Sequence, residues 1–152
     1  MYLEIIEKVQ NRVIQLLPID KQEYPGILLK DTCSEVVRLV ASWIKLLDKS
    51  VILYVIKGNN VCNTKKSHNI LIIKDLNGLI YVVNPTVWQF FPKLKSILIF
   101  SANDINIALD RVKEIYEGKW SISEEFIGMT EVEEKKYLNI ISQNINENLD
   151  SI

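Results

Sequence analysis

Between Val36 and Leu47, the residues Val36, Val37, Leu39, Val40, Trp43, Ile44 and Leu47 almost encircle the helix that their spacing predicts. A helix with one apolar stripe can lie on a surface. One that is apolar nearly all round must be covered from more than one side. The rest of the chain therefore has to wrap this segment. Asp31 or Thr32 can cap its start, which puts Cys33 in the first turn and Glu35 two residues later.

The flanking sequence supplies the cover. Leu3, Ile6, Val9, Val13, Leu16 and Leu17 form one stripe opposite Glu4, Lys8, Asn11 and Arg12, which predicts an amphipathic helix ended by Pro18. Residues 19–30 contain Pro25-Gly26 and read as a loop. Val51–Lys57 reads as a strand. His68–Lys74 and Leu79–Val83 read as two more, joined by the hairpin signal Asp75-Leu76-Asn77-Gly78. Lys95–Phe100 reads as a further strand. Ser101 or Asn103 can cap a helix running to Tyr116, stopped by Gly118. Trp120–Phe126 suits a short strand, and Thr130-Glu131-Val132-Glu133 is a capping box opening a last helix to about Asn146. The polar end, 144–152, is expected to fray. No repeat, low-complexity tract or linker interrupts the 152 residues. The expected class is α+β: one domain over residues 1–152, its Cys33 helix packed on an antiparallel sheet and flanked by other helices.

Charge and hydropathy narrow the partners. A formal net charge of −1, with Lys and Glu interleaved, offers no field for nucleic acid. No apolar run reaches the roughly 18 residues of a membrane span. Neither nucleic acid nor membrane is expected. The start, Met1-Tyr2-Leu3-Glu4-Ile5-Ile6-Glu7-Lys8, carries acids where a secretory leader carries a basic patch and an apolar run. The expectation is synthesis in the cytoplasm, with residence there or export by a route needing no such leader. Cys33 and Cys62 are too few for a disulfide framework. With His68 they make only three zinc ligands, without paired-cysteine spacing, so no metal or cofactor is expected.

One constellation carries chemistry. A thiol at a helix N-terminus feels the positive end of the helix dipole, which favours thiolate. His68, the only histidine, opens a strand whose hairpin partner runs into Asn84-Pro85. A histidine beside a thiol can take its proton, and an amide on the other ring nitrogen fixes the tautomer. An odd-numbered loop centred on Leu76 would set His68 directly opposite Asn84, side chains on one face and about 5 Å apart. An even-numbered loop would send them to opposite faces. Gly78 in a left-handed conformation suits the odd loops. Singly, each residue has a plainer reading: a packed cysteine, a satisfied histidine, a turn asparagine. Trp88, Phe90 and Phe91 could line a cleft beside Asn84 or fill the core below the hairpin. Gln89 could bond across the site or stand exposed, and Glu35 reads as solvated or bound to its own helix terminus.

The run from Asp31-Thr32-Cys33 through Ser67-His68-Asn69-Ile70 to Tyr81-Val82-Val83-Asn84-Pro85-Thr86 resembles the papain-like fold peptidase superfamily. Within it, the chain is similar to small bacterial papain-fold toxin and effector domains. The likeness covers about residues 28–92, and Asn84-Pro85-Thr86-Val87-Trp88-Gln89-Phe90 is similar to Asp-Pro-Thr motifs of such domains. It implies a papain-like arrangement and a Cys33-His68-Asn84 triad acting on a protein or peptide amide. The outcome would be peptidase or glutamine deamidase with water as acceptor, transglutaminase with an amine. Substrate contacts would fall to Trp88 and Gln89. A toxin or effector role, with delivery into another cell, is implied by the likeness alone.

Two positions depart from that pattern. Asn84 stands where toxin-like relatives more often have Asp, so it can orient His68 but supplies no charge. The oxyanion hole of the protease branch uses a glutamine upstream of the nucleophile. Here that residue would be Gln22, eleven positions before Cys33. The Cys33 backbone N–H supplies one donor; the second is unassigned. Both departures keep open a non-catalytic papain-like pseudoenzyme or protein-binding module.

Overall fold

In the computed structural model, which describes residues 2–152, the N-terminal stripe forms helix α1 (Tyr2–Ile14), burying Tyr2, Ile6, Val9 and Val13. The segment read as a loop contains a single helical turn, α2 (Pro25–Leu28). Pro25 occupies its first position, where a fixed φ and a missing N–H cost nothing. Helix α3 (Cys33–Leu47) buries every residue from Val36 to Ile44 except Arg38, Trp43 and Leu39 included. Thr32, not Asp31, precedes it, and the Thr32 hydroxyl donates to the Leu29 carbonyl at 2.6 Å instead of capping.

Five strands follow: β1 (Ile52–Asn59), β2 (His68–Lys74), β3 (Ile80–Val83), β4 (Leu98–Ala102) and β5 (Lys119–Phe126). Every pairing is antiparallel and the order is β4-β3-β2-β1-β5. The strand expected at Trp120–Phe126 is thus the edge strand β5. Helix α4 (Ile105–Tyr116) precedes it, capped by Asp104, whose carboxylate accepts from the Asn106 and Ile107 N–H groups. Ser101 and Asn103 do not take that role. Helix α5 (Glu131–Asn148) opens on the expected capping box of Thr130 and Glu133.

The sheet is covered on both faces. Leu53, Val55, Leu71, Ile73 and Val83 join α1, α3 and α5 in one cluster. Ile56, Ile70, Ile72, Ile80 and Val82 join Ala108, Val112 and Tyr116 of α4 in another. The split follows the two-residue period of a strand. Central β2 has both faces covered and is buried from His68 to Ile73. The chain is therefore α+β, with the Cys33 helix on an antiparallel sheet as expected.

Helix α5 continues past residue 144 to Asn148. Ile141 and Ile145 are buried, and the Asn148 amide donates to the Leu28 and Lys30 carbonyls at 3.3 and 3.4 Å. Apolar residues at a helical spacing within a polar composition hold it. Among the described residues, no helix is long and apolar enough to cross a membrane.

Candidate active site

The β2–β3 hairpin sets the first part of the site. Its ladder pairs Lys74 with Ile80 and Leu71 with Val83. Asp75 N–H then donates to the Leu79 carbonyl at 3.0 Å, leaving a three-residue loop centred on Asn77 rather than Leu76. Gly78, at φ 86°, takes the left-handed position. The Asp75 carboxylate accepts from the Asn77 and Leu79 N–H groups, both at 2.9 Å. The loop is odd, as expected, but the register lies one residue further on. Extended by three pairs, it would set Asn84 across from Ile70 and His68 across from Thr86. His68 and Asn84 are diagonal neighbours on one face instead of directly opposed.

They still meet. His68 Nε2 lies 3.0 Å from Asn84 Oδ1. The same oxygen accepts the Thr86 N–H at 3.2 Å, and Asn84 Nδ2 donates to the Tyr116 hydroxyl at 2.8 Å. These bonds assign the proton. The Thr86 N–H is an obligate donor, so the atom beside it must be the amide oxygen, and His68 Nε2 must carry the hydrogen donated to it. Nδ1 is left with its lone pair. It is buried and has no hydrogen-bond partner among the described residues. The ring is 0% exposed, edge-on to Phe90 at 4.8 Å and stacked near Tyr116 at 6.1 Å. Burial pushes its pKa down to about 4, the Asn84 hydrogen bond offsetting part of that. His68 is a neutral base at pH 7, held in one tautomer.

Cys33 is half-buried at the first position of α3, between two clefts. One, of about 560 Å³, is lined by Gly26, Ile27, Lys66, Gln89 and Phe90 beside Cys33. The other, of about 380 Å³, brings Ser34, Arg38, Lys57 and Asn69 around the same cysteine. Asn69 Nδ2 lies 3.7 Å from Cys33 Sγ, on the strand face turned to α3. No hydrogen bond joins Cys33 to His68 among the described residues. Strand alternation explains this. Residue 69 points toward α3, and residue 68 points toward the Tyr116 side.

The remaining candidates divide. Gln89 lines the larger Cys33 cleft, and its amide donates to the Leu29 carbonyl, tying the turn after β3 to the loop before α3. Trp88 is 6% exposed, its indole donates to the Leu94 carbonyl at 2.8 Å, and it lines neither Cys33 cleft. Gln22 closes a 3-10 turn and lines neither cleft. Cys62 packs beside the α4-side cluster. Its thiol pKa is raised by burial and then by Glu117.

Asn69 and Tyr116 escaped the sequence reading. Asn69 follows His68 directly, and the alternation of β2 was the available signal that it faces α3. Tyr116 lies 32 residues from Asn84, and no local pattern links them.

Chemically, β2 sets an amide donor on the sulfur of an accessible thiol at a helix start and carries a neutral, oriented imidazole on its other face. No protein-family model matches the chain, and searches of curated proteins and of solved structures likewise return no match.

Proposed function

We propose that the chain is a thiol-dependent hydrolase or acyl-transfer enzyme acting on an amide of a protein or peptide. In this reading Cys33 attacks the carbonyl, His68 manages the proton, and Asn84 holds the imidazole. The carrying observation is the His68–Asn84 pair: Nε2–H bound at 3.0 Å and a buried Nδ1 with no partner. A buried ring nitrogen without a partner costs stability, and a catalytic role is one reason for a fold to carry that cost. The resemblance to papain-fold domains favours hydrolysis or deamidation of a polypeptide, in a toxin or effector setting. Water as acceptor completes the turnover.

A non-catalytic papain-like module is the second reading. It is favoured by the alternation that turns Asn69, rather than His68, toward Cys33. In that case the His68–Asn84–Tyr116 chain pins the turn after β3 and does no chemistry.

Alkylation separates the two. Iodoacetamide is applied at pH 6 to the wild type and to His68→Ala, and modification of Cys33 and Cys62 is followed by peptide mass spectrometry. The enzyme reading expects Cys33 to react at least tenfold faster than Cys62 and to slow when His68 is removed. Equal rates, or a Cys33 rate indifferent to His68, favour the module.

A further inference from the structure

We propose that Asn69 is the side-chain donor of the oxyanion hole, working with the backbone N–H of Cys33; the assignment rests on the acyl-transfer reading above. When a thiolate adds to an amide carbonyl, a C–S bond forms and the π pair moves onto oxygen. That oxygen is one bond from the carbon now attached to Sγ, so its donors must sit beside the sulfur. Collapse of the adduct reforms the carbonyl as a thioester and expels the amine, which takes the proton held by His68. Water then cleaves the thioester and restores the thiol. Donors are effective when they lie about 2.7–3.1 Å from the charge that develops.

Asn69 meets this requirement by position. Its Nδ2 is 3.7 Å from Sγ and the residue is 8% exposed. Pairing with Lys57 of β1 fixes its backbone. The second donor is also free. The first backbone bond of α3 runs from Val36 N–H to the Thr32 carbonyl, and the Thr32 hydroxyl is turned to Leu29. The Cys33 N–H therefore has no partner among the described residues. Among the other amides, Gln22 lines neither Cys33 cleft, and Gln89, though it lines the larger one, is anchored on the Leu29 carbonyl, whereas the Asn69 amide is bonded to Sγ itself.

Two reagents distinguish a donor to the oxyanion from a donor to the sulfur. Iodoacetamide is attacked at a saturated carbon and forms no oxyanion. p-Nitrophenyl acetate is attacked at a carbonyl and does. With the full chain, Asn69→Ala is expected to slow acetylation of Cys33 by p-nitrophenyl acetate about 10²–10³-fold, with carboxamidomethylation changed less than threefold. Asn69→Leu, which keeps the volume and lacks the donor, repeats the measurement should the alanine variant melt early. Asn69 variants acetylated at the wild-type rate overturn the assignment and leave the enzyme reading standing. Equal loss with both reagents also overturns it, since the amide would then act on the thiol. A wild-type Cys33 that is not acetylated removes the enzyme reading itself, and this assignment with it.

Discussion

His68 and Asn84 bond at 3.0 Å although the hairpin does not set them opposite each other. The contact is diagonal and forms after β3 has ended, where the Asn84 N–H donates to the Ile97 carbonyl at 2.8 Å. The asparagine is therefore placed by the β4 side as much as by the hairpin. Its amide is bonded at both ends, to Thr86 and to Tyr116. This fixes the orientation of the group that fixes the histidine.

That arrangement predicts an acid-side loss of stability assignable to one residue. Burial holds His68 near pKa 4, while an unfolded histidine titrates near 6.5. Between those values the unfolded chain binds the extra proton. The His68 contribution is thus fully present above about pH 6.5 and is lost as pH falls through about 4. Its size is on the order of 3 kcal/mol. Urea midpoints of wild type and His68→Gln, at pH 7 and pH 4.5, check this. The variant should lose less on acidification, and parallel losses would contradict the assignment.

Asn84→Asp should raise the His68 pKa. A carboxylate at that position favours imidazolium, and the site can accommodate it. The Thr86 N–H already points there, and the Tyr116 hydroxyl can turn from accepting to donating. Because the chain has a single histidine, an NMR titration of its ring protons reads the shift directly. The expected change is upward, with thiol chemistry at pH 7 kept or increased. An unmoved titration would show that the two groups are not coupled.

The sequence made the layers legible, because burial leaves a periodic trace. The all-round apolar α3, the capping box at Thr130 and the hairpin at Gly78 all stand where their local chemistry predicts. The odd parity of the hairpin was also legible, and with it the shared face of His68 and Asn84. The register was not. Asp75 can cap a loop centred on Asn77 as readily as the chain can turn about Leu76, and only the bonds of its carboxylate decide. The partners of the site residues were hidden for another reason. Tyr116 and Asn69 reach Asn84 and Cys33 across the tertiary fold; the alternation of β2 marks the face of Asn69, but nothing in a single sequence names the partner of either residue.

Tyr116→Phe tests the far end of that chain. The ring still fills its place in the α4-side cluster, but the Asn84 Nδ2 loses its acceptor inside the protein. An unsatisfied buried donor costs about 1–3 kcal/mol, so the urea midpoint should fall accordingly. The His68 titration should also move, because one of the two bonds that orient the amide is gone. A midpoint within error of wild type would mean that water or another group takes up the amide.

Cys33→Ala should uncouple chemistry from stability. The residue is half-buried, and the change deletes one sulfur that accepts a single long bond from Asn69. The stability cost should be about 1 kcal/mol or less. Removing a nucleophile eliminates the covalent route and should lower acyl transfer by several orders of magnitude. Asn84→Ala should be milder, since it loosens the base without deleting it. Thermal melts paired with p-nitrophenyl acetate turnover check both variants. A Cys33→Ala protein that melts like wild type and turns over as fast would leave Cys33 a packing residue, and the module reading would then be the one to pursue.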